Sequence, residues 1–245
     1  MTVNGTLILL DGIRVMIRQV RNVFLAGACC IFAAACSDVT TTGTGPLPVL
    51  KHDPILFVHG YGGNNGNWQD MKARFLADGW QDVELYAYNY SFIDSNASSA
   101  AEIRDQIDKI IATTGATKVD IISFSMGSIS SRYYLKNLGG TAKVDAWVSL
   151  AGPNHGTDAV ENNQCNFTPC KEIIPGSAFL TALNSGDETP GLVRYATFRS
   201  PCDDTINPDA SVILSGATNT QVSCIAHIQF LTDDATYRQA RDFVE

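Results

Sequence analysis

Apolar positions fall along this chain in short blocks separated by longer amphipathic stretches. Ile55-Leu56-Phe57-Val58 is an uninterrupted apolar block that runs into Gly60, Gly62 and Gly63, the pattern of a buried strand entering a loop. Val83 to Tyr88, Lys118 to Phe124, Ala146 to Leu150, Arg194 to Phe198 and Val222 to Ala226 predict five further strands. Between the second and third, Ala100 to Ala112 sets Ile103, Ile107, Ile110 and Ile111 on one helical face, and Gly115 ends it. A second helix is expected over Met126 to Asn137, stopped by Gly139 and Gly140. A closing helix is expected over Thr232 to Val244, with Thr232 or Asp233 as N-cap. Such alternation predicts an α/β fold with a mostly parallel central sheet and helices on both faces. Residues 152–191 carry little periodicity, which in a compact domain marks a functional loop or cap.

The opening of the chain reads differently. Arg14, Arg18 and Arg21 precede the apolar stretch Val23 to Ala35, as in an export signal. The stretch is too short for a comfortable transmembrane span. Ala33-Ala34-Ala35 stand directly before Cys36, so cleavage before a lipidated Cys36 is expected. Ala33 stands where Leu is usual, and ordinary cleavage at a small-x-small site is the alternative. Met16 is a second candidate start. The expected organisation is a signal over residues 1–35, a Thr/Gly/Pro-rich tether over 36–49, and a folded domain over 50–245. The product would sit on the outer membrane or cell surface by its lipid, or be secreted or periplasmic. Without residues 1–35 the chain loses three arginines and one aspartate, and its formal charge moves from −8 to −10. No basic run is present, which argues against a nucleic-acid partner.

Cysteine usage fits export. Cys29 and Cys30 leave with the signal, and lipidation of Cys36 leaves Cys165, Cys170, Cys202 and Cys224. Cys165 and Cys170 are close enough to clip a loop, and Cys202 would then pair with Cys224. A zinc site is disfavoured because C-x-x-C and H-x-H spacings are missing, and no calcium-loop spacing occurs. No metal is expected.

Candidate chemistry lies at the strand ends. Ser123-Phe124-Ser125-Met126-Gly127 falls between a predicted strand and a predicted helix, where a serine nucleophile can be displayed on a tight turn. Ser123 replaces the usual first Gly. The Met126 N–H at the helix start can face a developing oxyanion. His59-Gly60-Tyr61-Gly62-Gly63 after the first strand can supply a second donor from Tyr61. It lacks the G-K-[ST] of a phosphate loop. His59, beside the glycine turn, is read as structural. Where a nucleophile occupies such a turn, the chain order is Ser, acid, His. His227 satisfies it, His155 comes too early, and His52 lies near the N-terminus. Asp203 and Asp204 both follow the fifth predicted strand, and Asp203 is preferred by its place at the strand end. A Cys202–Cys224 bond would tie the acid loop to the segment bearing His227. Tyr86, Tyr88, Tyr90 and Phe92 read as core in preference to an acyl groove.

With these motifs the chain resembles the lipase class 2 family of bacterial α/β-hydrolases. The resemblance runs over about residues 50–245. It is carried by Phe57 to Gly63, Lys118 to Gly127, Tyr133 to Leu138, Ala151 to Thr157 and Ser200 to His227. It implies a compact α/β-hydrolase fold with a small lid or none and a Ser125-Asp203-His227 triad. It also implies hydrolysis of acylglycerols or short-to-medium-chain esters, with no organic cofactor. A lipid or ester substrate and a monomeric state are expected. In such families the Asp followed two residues later by Thr-Ile is the triad acid, which again points to Asp203. Phe124 and Ser128 stand where His and Gly are usual, and both can alter the acyl pocket or the oxyanion loop. The same triad would also serve a polyester depolymerase or an acyltransferase. A non-catalytic surface binding module would have no physical need for all three residues.

Overall fold

The computed structural model describes residues 45–159 and 165–245. The expected signal, Cys36 and most of the tether therefore lie outside the described residues. Six strands, β1 (Ile55–Val58), β2 (Leu85–Ala87), β3 (Val119–Phe124), β4 (Val144–Leu150), β5 (Arg194–Arg199) and β6 (Thr218–Gln221), form one sheet in the order β2-β1-β3-β4-β5-β6. Every pairing is parallel. The order reverses between β1 and β3, and in open α/β sheets ligands bind outside the carboxyl ends of the strands at such a reversal.

The two-residue period of the strands divides the core. Ile55 and Phe57 face one side, where they join Trp68, Phe75, Phe198 and Tyr237. Leu56 and Val58 face the other, against Ile103, Ile107, Trp147 and Leu135. Helices cover both faces, as the near-continuous apolar strands require. They are α1 (Gln69–Ala77), α2 (Asn96–Thr114), α3 (Met126–Asn137), α4 (Thr168–Glu172), α5 (Ala178–Asn184) and α6 (Asp234–Val244). The α2 helix starts earlier than its apolar stripe. Ser95 caps it by accepting the Ser98 N–H at 3.1 Å, and Gly115 closes it in the left-handed region at φ 73°. Asp233 caps α6 through Thr236.

Two strand assignments need correction. Val83 and Glu84, expected to open the strand Val83 to Tyr88, lie instead in a 3-10 turn over Asp82–Glu84, because the Glu84 carboxylate accepts the Gln81 N–H at 2.8 Å. The sixth strand is the polar Thr218–Gln221, not Val222 to Ala226. Edge strands need no apolar face, whereas Val222 and Ile225 bury their side chains from an irregular segment. That segment is held by Ser200, whose hydroxyl donates to Ile225 O at 2.6 Å and accepts the Ile225 N–H at 2.9 Å. The α1 helix, with Met71 and Phe75 buried four residues apart, was not expected from the pattern. Within the aperiodic stretch, α4 and α5 lie beside the cleft described below. Tyr86, Tyr88 and Tyr90 pack in the core on the α2 side, and Phe92 packs with Met126 and Ile129.

Candidate active site

Ser125 sits between β3 and α3 with φ 54° and ψ −130°. A non-glycine residue in this region carries strain of about 1–3 kcal/mol and persists only where its surroundings hold it. Here the Ser125 N–H donates to Leu150 O at 2.9 Å, and Ser125 O accepts the Ser128 N–H at 3.0 Å. The turn depends on absent side chains. A Cβ on Gly127 would lie 2.3 Å from His59 O, and one on Gly60 would lie 2.8 Å from the Ser125 Cβ. Ser123 fits where Gly is usual because its hydroxyl finds partners, Val148 O at 2.9 Å and the Ser128 Oγ at 3.0 Å.

Three expected residues come together. His227 Nε2 is 2.9 Å from Ser125 Oγ, and His227 Nδ1 is 3.0 Å from Asp203 Oδ2. An ionised carboxylate only accepts, so Nδ1 carries the proton and Nε2 is free to accept from the serine hydroxyl. Asp203 is held in turn, its Oδ1 accepting the N–H groups of Thr205 at 2.9 Å and Ile206 at 2.8 Å. The Asp203 side chain is 1% exposed and that of His227 is 12% exposed. Phe124 packs its ring 4.7 Å from the His227 ring, centroid to centroid.

Asp204 has a separate task that the sequence did not reveal. Its Oδ1 accepts the His227 backbone N–H at 3.0 Å, and this bond holds its carboxyl below the usual range. The tandem Asp203-Asp204 was the available signal: two acids with one ring nitrogen to serve leave one for the backbone. The two disulfides pair as expected, Cys165 with Cys170 and Cys202 with Cys224.

The other histidines lie elsewhere. His59 is buried, stacks on Tyr90 and places Nδ1 2.9 Å from Gly60 O; burial pushes its pKa down. His155 contacts Glu188 at 2.8 Å, and His52 stacks on Trp80 and contacts Glu84. Tyr61 and Met126 flank Ser125 along a cleft, and neither N–H has a backbone acceptor among the described residues.

Among the described residues, one group of carboxylates lies close enough together to share a cation. Asp53, Asp120 and Asp145 approach one another at the amino ends of β3 and β4, the sheet edge opposite Ser125. Burial pushes the Asp120 carboxyl well up, Ala146 N–H donates to it at 2.8 Å, and Arg194 Nη2 already pairs with Asp145 at 2.7 Å.

Similarity to known proteins follows the same core. A triacylglycerol lipase of Pseudomonas fragi is 25% identical over 150 residues, covering 56% of this chain and 50% of that protein. The chain thus spans about half the length of that relative. Among solved structures, the mature form of a Bacillus licheniformis lipase superposes with a TM-score of 0.68 at 16% identity, over 80% of this chain and 96% of that one. Aspergillus fumigatus lipase B gives 0.67 at 18% identity, over 78% of this chain and 52% of that one. Both likenesses establish the α/β-hydrolase fold. The sequence profile of the lipase (class 2) family matches residues 52–238. With most of the folded region inside that match, the chain belongs to the lipase (class 2) family.

Proposed function

We propose that this protein is a serine ester hydrolase acting on acylglycerols or short-to-medium-chain esters. The observation that carries the reading is the continuous hydrogen-bonded line from Ser125 Oγ through His227 to Asp203, at 2.9 and 3.0 Å. Ser125 Oγ attacks the ester carbonyl carbon while His227 Nε2 takes its proton. Asp203 holds the ring in its productive tautomer and stabilises the imidazolium. The carbonyl oxygen, now negative, is received by the N–H groups of Tyr61 and Met126; losing one such donor costs about 2.7–4 kcal/mol in the barrier. The tetrahedral adduct collapses, the alcohol leaves with the proton from His227, and an acyl-Ser125 ester remains. His227 then deprotonates a water that attacks this ester; the second adduct collapses with the C–Oγ bond broken, His227 returns the proton to Ser125 Oγ, and the carboxylic acid departs.

Two disulfides among the described residues support an oxidising, exported setting. No helix of the described residues is long and apolar enough to cross a membrane. Lipid attachment at Cys36 is proposed on the signal pattern alone.

A fluorescent alkyl phosphonate, followed by mapping of the labelled peptide, tests the reading. Labelling of Ser125 that disappears in His227→Ala is expected. A folded protein that takes no label and turns over no ester, with or without detergent, would return the weight to a binding module.

A further inference from the structure

The cleft beside Ser125 is open to solvent on one side and offers about 140 Å³. For scale, an apolar cavity of about 150 Å³ in another protein admits one benzene, six carbons. Met126, Ile173, Ile206, Thr157 and the Cys165–Cys170 disulfide line it, a mainly apolar wall.

That wall is fastened to the scaffold on both sides of Ile173. Just before it, the Glu172 carboxylate accepts the Asn96 N–H at 2.7 Å and Asn96 Nδ2 at 2.8 Å, at the start of α2. At Ile173 itself the carbonyl accepts the Thr157 N–H at 3.0 Å, and Thr157 Oγ1 donates to Thr205 O at 2.7 Å in the loop that carries Asp203. Beyond it, Lys136 Nζ and Arg132 Nη2, both on α3, donate to Leu183 O at 2.9 and 3.2 Å and hold the end of α5. Cys170 and Cys165 are joined five residues apart, which stiffens the segment before Ile173. The wall is thus tied to α2 and to the acid loop, and α3 holds the helix that follows it.

We propose that Ile173, backed by the Cys165–Cys170 clip, is the specificity-determining stop of the acyl cleft and sets its preference at acyl groups of about six carbons, a reading that rests on the ester-hydrolase function above. Each extra methylene beyond the stop must displace packed side chains or leave the apolar wall for water, and one methylene in a hydrophobic pocket is worth about 10–200-fold in discrimination.

A series of p-nitrophenyl esters from acetate to palmitate, each below its micelle threshold, tests this on the full chain. The kcat/KM of the wild type should peak at butyrate or hexanoate and fall at least about 100-fold by dodecanoate. Ile173→Ala should raise the dodecanoate-to-butyrate ratio at least about 10-fold, and Ile173→Trp should lower the hexanoate-to-acetate ratio by a similar factor. The paired Cys165→Ala/Cys170→Ala variant should move the ratio in the direction of Ile173→Ala. A wild type that handles dodecanoate as well as butyrate overturns the stop, and so do Ile173 variants that leave both ratios unchanged. Absence of turnover on every ester overturns the hydrolase reading, and unlabelled Ser125 under phosphonate marks that outcome apart from a failure of the stop alone.

Discussion

Cys202 is bonded to Cys224, so the loop that carries Asp203 and the segment that leads into His227 are covalently joined. The two cysteines stand one residue before the proposed acid and three before the proposed base. Ser200, at the root of the same loop, adds hydrogen bonds to Ser223 and Ile225. The proposed acid and base thus share one short, braced unit, while the proposed nucleophile is placed independently by β3 and α3. Pre-organisation of this kind matters because active groups must hold their geometry within about 0.5 Å.

The disulfide should therefore act on stability and activity together. Closing a loop of this length removes about 3 kcal/mol of unfolded-state entropy. Cys202→Ala/Cys224→Ala is expected to lower the denaturant midpoint accordingly and to reduce kcat more than KM rises. Equal midpoints for variant and wild type would show the bond to be mechanically idle.

The nucleophile assignment makes the sharpest claim. Ser125→Ala should lose about 10⁶-fold in kcat, by comparison with serine proteases. Far-UV circular dichroism should be unchanged, because the β-carbon and the turn are kept. Residual hydrolysis near the wild-type rate from a folded variant would remove Ser125 from the mechanism.

Asp203 and Asp204 should separate cleanly. Asp203→Asn offers an amide to His227 Nδ1, favours the wrong tautomer and should lower kcat by about 10⁴-fold. Asp204→Asn keeps an oxygen for the His227 N–H and loses only its charge, so about 10-fold is expected from a weakened hydrogen bond of about 1.5 kcal/mol. Steady-state kinetics on both variants decides the matter, and a larger loss at Asp204 would reverse the assignment.

Glu84 predicts a pH dependence of stability remote from the site. Burial acts to raise its pKa, but the N–H groups of Gln81, His52 and Lys51 all point at the carboxylate and leave it below the usual value. A carboxylate depressed in the folded state stabilises fully above its unfolded pKa of about 4.3, and that contribution fades as pH falls through the folded value. Glu84→Gln should thus be about 2 kcal/mol less stable than wild type at pH 7. The gap should narrow below about pH 4. Urea titrations at pH 7 and pH 3.5 measure it, and a gap independent of pH would show that the charge is irrelevant.

Much of this protein is determined locally. The apolar blocks at Ile55, Val119 and Ala146 specify strands because both faces of a parallel sheet must be buried, and a strand buried on both faces has no polar alternative. Ser125 is legible because small neighbours are forced on its turn: Gly127 has no room for a Cβ beside His59 O. The proposed order Ser125, Asp203, His227 is read from predicted strand ends: β3 ends directly before Ser125 and β5 shortly before Asp203, whereas the strand expected to lead into His227 lies earlier, at Thr218–Gln221. Tertiary structure alone decided the rest. The edge strand Thr218–Gln221 carries no apolar signal, since its polar side chains mostly meet solvent and it joins the sheet through its backbone pairing with β5. Asp204 found its partner because loop closure brings the His227 N–H to it across 23 residues. Ile173 became a pocket wall through bonds to Thr157 and through Glu172 to Asn96, contacts between segments 16 to 76 residues apart. Periodicity records which face of an element is buried, and it is silent about which distant backbone groups will need a partner once the chain has closed.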